Sequence, residues 1–229
     1  MYSTSLLHLL HLCDSALPIG GFSHSAGLET YVQEGIVNNK KSAKEFVARQ
    51  LSQNICYTDA ALLSLAYDGA CNNDFELILF LDETCNAVKL PEEIRLASNK
   101  LGMRLLKIFE HNQASDLPSK YRDFAKNQQA FGHYCIAFGL IAQALDIDRQ
   151  QAISGFYYNA ATSFITTAVK LIPLGQQDGQ EILMSLFSLI DELAYQSLSP
   201  AKEMIGLCCP GFDIRCMQHE QLYSRLYMS

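Results

Sequence analysis

The segment that most constrains the fold is residues 133–146, which begin HYCIAFGLIAQAL and carry apolar side chains at nearly every position. A helix that is apolar on all of its faces has to be surrounded by other elements. This segment, like every other apolar stretch of the chain, is shorter than the roughly 20 residues needed to cross a bilayer. We therefore expect it to be the central helix of a globular domain.

Helical periodicity continues along the rest of the chain. Apolar residues recur three and four positions apart, between interruptions rich in Gly, Pro and Asn. The apolar run LILFL at 77–81 fits a buried strand equally well by itself, but its helical flanks and the lack of a partner strand favour a helix. No repeat or shift in composition divides the 229 residues. The sequence predicts one all-α domain of about eight to ten helices over residues 1–229.

The two ends of the chain are expected to be mobile. Residues 1–22 are predicted to form an N-terminal arm that ends in a Gly-Gly joint. Residues 212–229 end in QHEQLYSRLYMS, which combines aromatic, aliphatic, Arg and Met side chains in the way that interface hot spots do. We expect a partner-binding tail that becomes ordered on its partner, and the alternative is a docked C-terminal helix.

Charge and composition exclude some classes of function. The chain has 17 basic and 24 acidic side chains, a net charge of −7, and no basic cluster longer than Lys40-Lys41. A nucleic-acid-binding protein normally shows a basic stripe, so nucleic acid is not an expected partner. The N-terminus lacks the positively charged region of a signal peptide. We therefore expect a cytoplasmic protein that does not associate with membranes.

The motif GGFSHSAG at residues 20–27 raises the question of catalysis, with His24 activating Ser23 or Ser25. A nucleophile elbow requires G-x-S-x-G after a strand, and the second glycine is missing here. A turn explains the motif better, with Ser23 capping a helix that runs to Glu34. The favoured prediction is that the chain is not an enzyme, and a small all-α serine hydrolase is the less favoured alternative.

The segment PLGQQDGQ at 173–180 lacks the lysine and the glycine spacing of a phosphate-binding loop. Asp178 is predicted to be the N-cap of the next helix. The polar side chains here favour either a hydrogen-bonded loop network or a partner site, and both remain open. The residues of this predicted network are Gly175, Gln176, Asp178 and Gln180.

Metal-binding residues are scattered in the sequence. His8 and His11 lie three residues apart on one helical face, and Cys208 and Cys209 are adjacent, but neither pair completes a ligand set. The acids Glu92 and Glu93 are also adjacent, so their side chains diverge on a helix and are not expected to share a site. We predict no resident metal and no cofactor.

Four segments resemble, in order and over nearly the whole chain, the UreF family of urease accessory proteins. They are DSALPIGGFSHSAGLETYVQEG at 14–35, RLASNKLGMRLLK at 95–107, VKLIPLGQQDGQEIL at 169–183 and DIRCMQHEQLYSRLYMS at 213–229. The resemblance implies an all-helical homodimer that binds UreD, called UreH in some bacteria, and recruits the GTPase UreG. Such a scaffold helps to deliver nickel to apo-urease, with nickel at most in transit, and is linked to control of the GTPase.

The resemblance also implies partner-binding residues. The N-terminal motif supplies Phe22, His24 and Glu29. The C-terminal motif supplies Tyr223, Ser224, Arg225 and Leu226, to which we add their neighbours Gln218, His219, Glu220 and Tyr227. Arg225 is the preferred charged anchor, and a role for it as an arginine finger in GTP hydrolysis is less favoured.

Two positions depart from the pattern, because Lys170 and Met228 stand where relatives often carry Arg. An alternative function is that of a nickel-carrying protein. Its ligands would be His8, His11, Cys208, Cys209 and His219.

Overall fold

The computed structural model describes residues 4–21, 24–111, 115–207, 209–223 and 225–228, and within these ranges every regular element is helical. The α-helices are α1 Ser5–Leu12, α2 Leu28–Gln33, α3 Lys40–Arg49, α4 Ala61–Cys71, α5 Phe75–Val88, α6 Glu92–Ile108, α7 Leu117–Lys126, α8 Tyr134–Ala144, α9 Arg149–Leu171, α10 Gln176–Ser185, α11 Phe187–Gln196 and α12 Pro210–His219. A π-helical segment, Gln50–Ala60, joins α3 to α4, and a 3₁₀ turn covers Lys202–Met204. The predicted all-α fold is confirmed.

Helix α8 is the centre of the domain, as predicted. Every side chain from Cys135 to Ala142 is buried, and the helix packs against α4, α6 and α9. The contacts are close: a Cβ atom on Gly139 would lie 2.7 Å from the carbonyl oxygen of Leu63 on α4. Each large apolar side chain buried here contributes about 1.5–3 kcal/mol to folding. The apolar run at 77–81 is helical too, within α5.

The segment before α6 is anchored by a buried ion pair. Asp59, in the π-helical segment, receives hydrogen bonds of 2.9 and 2.8 Å from the Lys89 ammonium. Burial by itself would raise the pKa of Asp59, but Lys89 outweighs it and holds this pKa below its usual range. The pair fixes the start of α6, on which the candidate site is built.

Both ends of the chain pack onto the domain. Leu9 of α1 and Cys13, just after the end of α1, lie over Gly155 of α9. Helix α12 packs against α2 and α6, with Phe212, Cys216 and His219 buried at positions i, i+4 and i+7. The docked-helix alternative therefore describes residues 210–219, and residues 220–223 and 225–228 follow as a non-helical tail. That a partner orders these ends stays a prediction.

Helix α2 begins later than predicted. Its N-cap is Gly27, which has a φ of +78°, and the helix starts at Leu28. The predicted cap at Ser23 is wrong for this helix, because position 23 is too far from its first turn. Ser23 itself lies outside the described residues, as does Phe22. No helix in the described part of the chain is long and apolar enough to cross a membrane.

Candidate functional site

The chain at the start of the GGFSHSAG segment, at Ile19 and Gly20, is held against α6. Arg104 of α6 donates a hydrogen bond of 2.8 Å from Nη1 to the carbonyl oxygen of Ile19. Gly20 has a φ of +84°, and a Cβ atom there would lie 2.3 Å from the same guanidinium nitrogen. Glycine is therefore favoured at position 20 for its backbone conformation, and it leaves room for the guanidinium of Arg104. The turn leads directly into α2, which faces α12.

Glu29 of α2 is the point at which the two ends of the chain meet. Its side chain is only 4% exposed. Oε1 accepts a hydrogen bond of 2.8 Å from the backbone N–H of Leu226, and Oε2 accepts one of 3.2 Å from that of Tyr227. Oε2 also lies 3.1 Å from Nε2 of His219. One buried carboxylate thus binds three groups from the last eleven residues.

Glu93, in the first turn of α6, is the second carboxylate of the site. Its Oε2 lies 2.9 Å from Nδ1 of His219, and its Oε1 accepts a hydrogen bond of 2.7 Å from Arg225. His219 is completely buried between the two glutamates. We call the four residues Glu29, Glu93, His219 and Arg225 the terminal clasp. Sequence reasoning missed Glu93, because it considered only whether Glu93 could act together with its neighbour Glu92.

Tyr227 is a further anchor of the tail. Its side chain is buried and lies within hydrogen-bonding reach of Thr167 on α9, and burial raises its pKa. The side chains around it point outward. We call the exposed apolar residues of the C-terminal segment the tail surface: Ile214, Met217, Tyr223, Leu226 and Met228. The backbone of the tail is thus held inside while its large apolar side chains face solvent, an arrangement typical of an interaction site.

His24 lies at the other edge of the site. Burial lowers its pKa, the positive charges of Lys100 and Arg104 lower it further, and Glu93 opposes them. The ring is therefore neutral at pH 7. His24 also lines a cavity of about 430 Å³ between the turn, α6 and α9. The neighbouring Ser25 is buried and so closed to a substrate, which removes one of the two proposed nucleophiles of a hydrolase.

The other predicted tail residues surround the clasp without joining it. Gln218 and Glu220 are exposed. Arg215 bonds to Gln218 and to Glu34 of α2, so it reinforces the contact between α12 and α2. Lys170 and Met228 are both exposed. Ser224 lies outside the described residues.

Of the four residues of the predicted loop network, Gly175 and Asp178 are joined by a hydrogen bond. Helix α10 starts at Gln176 with Gly175 as its N-cap, so the prediction of Asp178 as N-cap is wrong by three residues. Asp178 instead accepts the N–H of Gly175 at 3.1 Å and pairs with Lys40 of α3 at 2.9 Å. The side chains of Gln176 and Gln180 are exposed. The loop is therefore held by a contact between α10 and α3, away from the terminal clasp.

The candidate metal ligands are not brought together. The His11 ring stacks 5.1 Å from Phe109, just after the end of α6, whereas His219 contacts Glu93 at its start. Helix α6 has 17 residues and is about 25 Å long, so these histidines are far apart. Among the described residues no group of three or more His, Cys, Asp or Glu side chains is arranged so that it could hold a metal ion, and Cys208 lies outside them.

The chain is similar in sequence to known proteins. The model of the UreF family matches residues 37–187. A protein of Actinobacillus pleuropneumoniae is 47% identical over 221 residues, which cover 96% of this chain and 97% of the relative. A protein of Haemophilus influenzae is 46% identical over 226 residues, with 99% and 96% covered. A protein of Bacillus sp. TB-90 is 33% identical over 224 residues, with 98% and 99% covered. All three are named urease accessory protein UreF.

Proposed function

Because the chain belongs to the UreF family of urease accessory proteins, we propose that it is a scaffold for nickel insertion into apo-urease. In this role it forms a homodimer, binds UreD or UreH, and recruits the GTPase UreG to the assembly. The observation that supports this proposal is the terminal clasp, which joins the two family motifs at the chain ends into one surface.

The tail has the properties of a binding element. Tyr223 and Leu226 are strongly exposed, and Arg225 stands between them with its guanidinium on Glu93. Tyr and Arg are enriched among residues that dominate the binding energy of interfaces. Fixing a backbone costs about 1–2 kcal/mol per residue, so a tail already held by the clasp binds with a smaller loss of entropy. These features favour the tail surface as the site for UreD or UreH.

The chain is not proposed to perform chemistry itself. Its family consists of accessory proteins, and the prediction that the chain is not an enzyme is confirmed at that level. We propose nickel as the cargo of the whole assembly. The nickel-carrier alternative has no support from the geometry, because the histidines that it requires lie at opposite ends of α6.

Co-purification of the full-length protein with UreD or UreH and with UreG tests the proposal. A variant with Tyr223→Glu and Leu226→Glu places charges on the tail surface and leaves the clasp side chains in place. We expect UreD or UreH to bind at least about tenfold more weakly, a loss of about 1.4 kcal/mol or more, with UreG lost as a consequence.

The matched control is Tyr195→Glu with Phe80→Glu, which alters two similarly exposed aromatic residues on α11 and α5. This control should retain both partners. Point substitutions are preferable to deletion of the C-terminal segment, because deletion would uncover the faces of α2 and α6 that Phe212, Cys216 and His219 cover. Undiminished capture of UreD or UreH by the tail variant would refute the assignment of the tail surface.

A further inference from the structure

The cavity of about 430 Å³ beside His24 has the construction of a ligand-binding site. Most of its lining comes from four segments, which are the turn before α2, the π-helical segment Gln50–Ala60, α6 and α9. π-Helical segments are rare and are found frequently at functional sites. The volume of the cavity lies within the range of clefts that hold small organic ligands. The four residues of the terminal clasp do not line this cavity, so it is a separate feature of the fold.

The two long helices beside the cavity present walls of different character. The wall from α6 is mostly apolar, with Ile94, Ala97 and Leu101 three and four positions apart on one face. The wall from α9 carries a polar series: Asn159, Thr162, Ser163, Thr166 and Lys170. The hydroxyl of Thr162 is buried and has no hydrogen-bond partner among the described residues. A cavity with one apolar and one polar wall fits a ligand that has an apolar body and a polar head.

The charged residues that line the cavity favour an anionic head. Asp59 and Lys89 are paired with each other, so together they add no net charge. Lys170, in contrast, makes no ion pair with any described residue. Its side chain is exposed together with the side chains of Ser163 and Thr166, which lie on the same helix. One uncompensated ammonium group and two hydroxyl groups therefore lie on the exposed side of the cavity.

Neighbouring cations strengthen this preference. After burial, the positive charges of Lys100 and Arg104 are the main causes that lower the pKa of His24, which lines the same cavity. Asp14 is the one acid of the described lining outside the ion pair, and its Oδ1 accepts the backbone N–H of Ala16 at 2.8 Å. The whole chain has a net charge of −7. These cations are thus a local exception on an acidic protein, and they attract anions to this face.

We propose that this cavity binds a small amphipathic organic anion, namely a monocarboxylate with an unbranched apolar chain. The carboxylate pairs with Lys170 beside the hydroxyls of Ser163 and Thr166, and the chain lies along the apolar wall that includes Ile94 and Leu101. Burial of the chain supplies the affinity, and the charge-assisted contact with Lys170 supplies the selectivity for an anion. The inference does not depend on the proposed function, because the site lies outside the terminal clasp and the tail surface.

Isothermal titration calorimetry of the full-length protein at pH 7 tests the class of ligand. The probes are octanoate and two compounds with the same chain, the neutral octanamide and the cationic octylammonium. We expect octanoate to bind at one site per chain with a Kd below about 1 mM, octanamide to bind at least about threefold more weakly, and octylammonium not to bind measurably. Absence of octanoate binding, an octanamide affinity within about threefold of that of octanoate, or measurable binding of octylammonium overturns the proposal.

The place of binding is tested by NMR of the unaltered protein with labelled alanine methyl groups. Ala97 and Ala160 line the cavity from its two walls, whereas Ala70 on α4 and Ala142 on α8 do not line it. Octanoate should shift the methyl signals of the first pair and leave those of the second pair in place. The opposite pattern overturns the assignment of the cavity, and this measurement needs no substitution that could disturb the fold.

A substitution at Lys170 tests the position of the carboxylate. Lys170→Gln removes the cation from an exposed site, so we expect octanoate to bind about two- to fivefold more weakly and octanamide to bind as before. The matched control is Lys41→Gln, which removes an exposed lysine on α3 that does not line the cavity. It should leave both affinities unchanged. An unchanged octanoate affinity in Lys170→Gln, or an equal loss in the control, overturns the assignment of Lys170.

Discussion

Replacement of Glu29 by glutamine should release the tail while leaving the rest of the fold in place. Glu29 presents two acceptor oxygens, of which Oε1 accepts the N–H of Leu226 and Oε2 accepts the N–H of Tyr227 and also contacts the ring of His219. A glutamine side chain offers a single acceptor oxygen, and its amide NH₂ group is itself a donor. The NH₂ group would therefore face the N–H of Leu226 or that of Tyr227 inside a buried site.

The loss of docking free energy in Glu29→Gln can be worked out from these contacts. A hydrogen bond to a charged group contributes about 1.5–3 kcal/mol, and a buried donor left without its acceptor costs about 1–3 kcal/mol more. Against this, ordering residues 225–228 costs about 1–2 kcal/mol for each residue. The free energy of docking is thus a small difference between large opposing contributions. A loss of about 3 kcal/mol would lower the docking constant more than about a hundredfold, enough to release the tail.

Hydrogen exchange at pH 6 measures this effect directly, and co-purification with UreD or UreH measures its consequence. The matched control is Glu34→Gln on the same helix, which removes a partly exposed ion pair with Arg215. Such pairs contribute only about 0–1 kcal/mol, so the control should keep its tail docked. If the Glu29→Gln protein protects residues 225–228 within about threefold of the unaltered protein, the central role given to Glu29 is wrong.

Two further predictions concern the stability of the fold. In Gly102→Ala the new Cβ atom would lie 2.1 Å from the carbonyl oxygen of Gly132, a backbone atom that has no rotamer by which to move away. We expect a loss of about 3 kcal/mol or more in urea unfolding, whereas Gly211→Ala, which meets open space, should not destabilise. An equal urea midpoint for both variants would contradict this. Burial, followed by Lys89, lowers the pKa of His133 to about 3, so the folded protein holds this ring neutral. Since the unfolded ring binds a proton near pH ~6.5, stability falls as the pH drops below that value, by up to about 1.4 kcal/mol per pH unit. The free energy of unfolding, measured with urea at several pH values between 4.5 and 7, should change less with pH in His133→Gln than in the unaltered protein. An equal change with pH in the two proteins would refute this assignment.

The features that the sequence predicted correctly are those that depend on the local pattern of apolar residues. Residues 133–146 are apolar on all faces, and a helix with that property has only one stable place, inside the domain. The run at 77–81 was ambiguous between helix and strand by periodicity, and its helical flanks decided it correctly. In both cases the residues whose pattern predicts the structure lie within about four turns of one helix. The family resemblance was also found from collinear segments without any structural information, and the comparisons confirm it.

Helix starts were predicted less well, because capping depends on contacts that are distant in sequence. Asp178 was placed at the N-cap, whereas it lies three residues further into the helix and accepts the N–H of Gly175. Its second oxygen is occupied by Lys40, which is 138 residues away. The start of α2 was misplaced for a similar reason. A glycine with positive φ precedes it, and the turn before that glycine is held by Arg104 of another helix.

The terminal clasp shows how a site can be missed when a correct rule about adjacent residues on a helix is applied by itself. Glu92 and Glu93 do diverge, and Glu92 is exposed, but Glu93 lies in line with Ala97 and Leu101 on the inward face of α6. A partly buried acid at the head of an apolar stripe requires a partner from elsewhere in the chain, and so does the buried Glu29. The C-terminal segment supplies these partners, which are the ring of His219 and the guanidinium of Arg225. Without His219 and Arg225, the carboxylates of Glu29 and Glu93 would be left partly buried and without these partners. The C-terminal tail is therefore part of the charge balance of the domain and not an appendage to it.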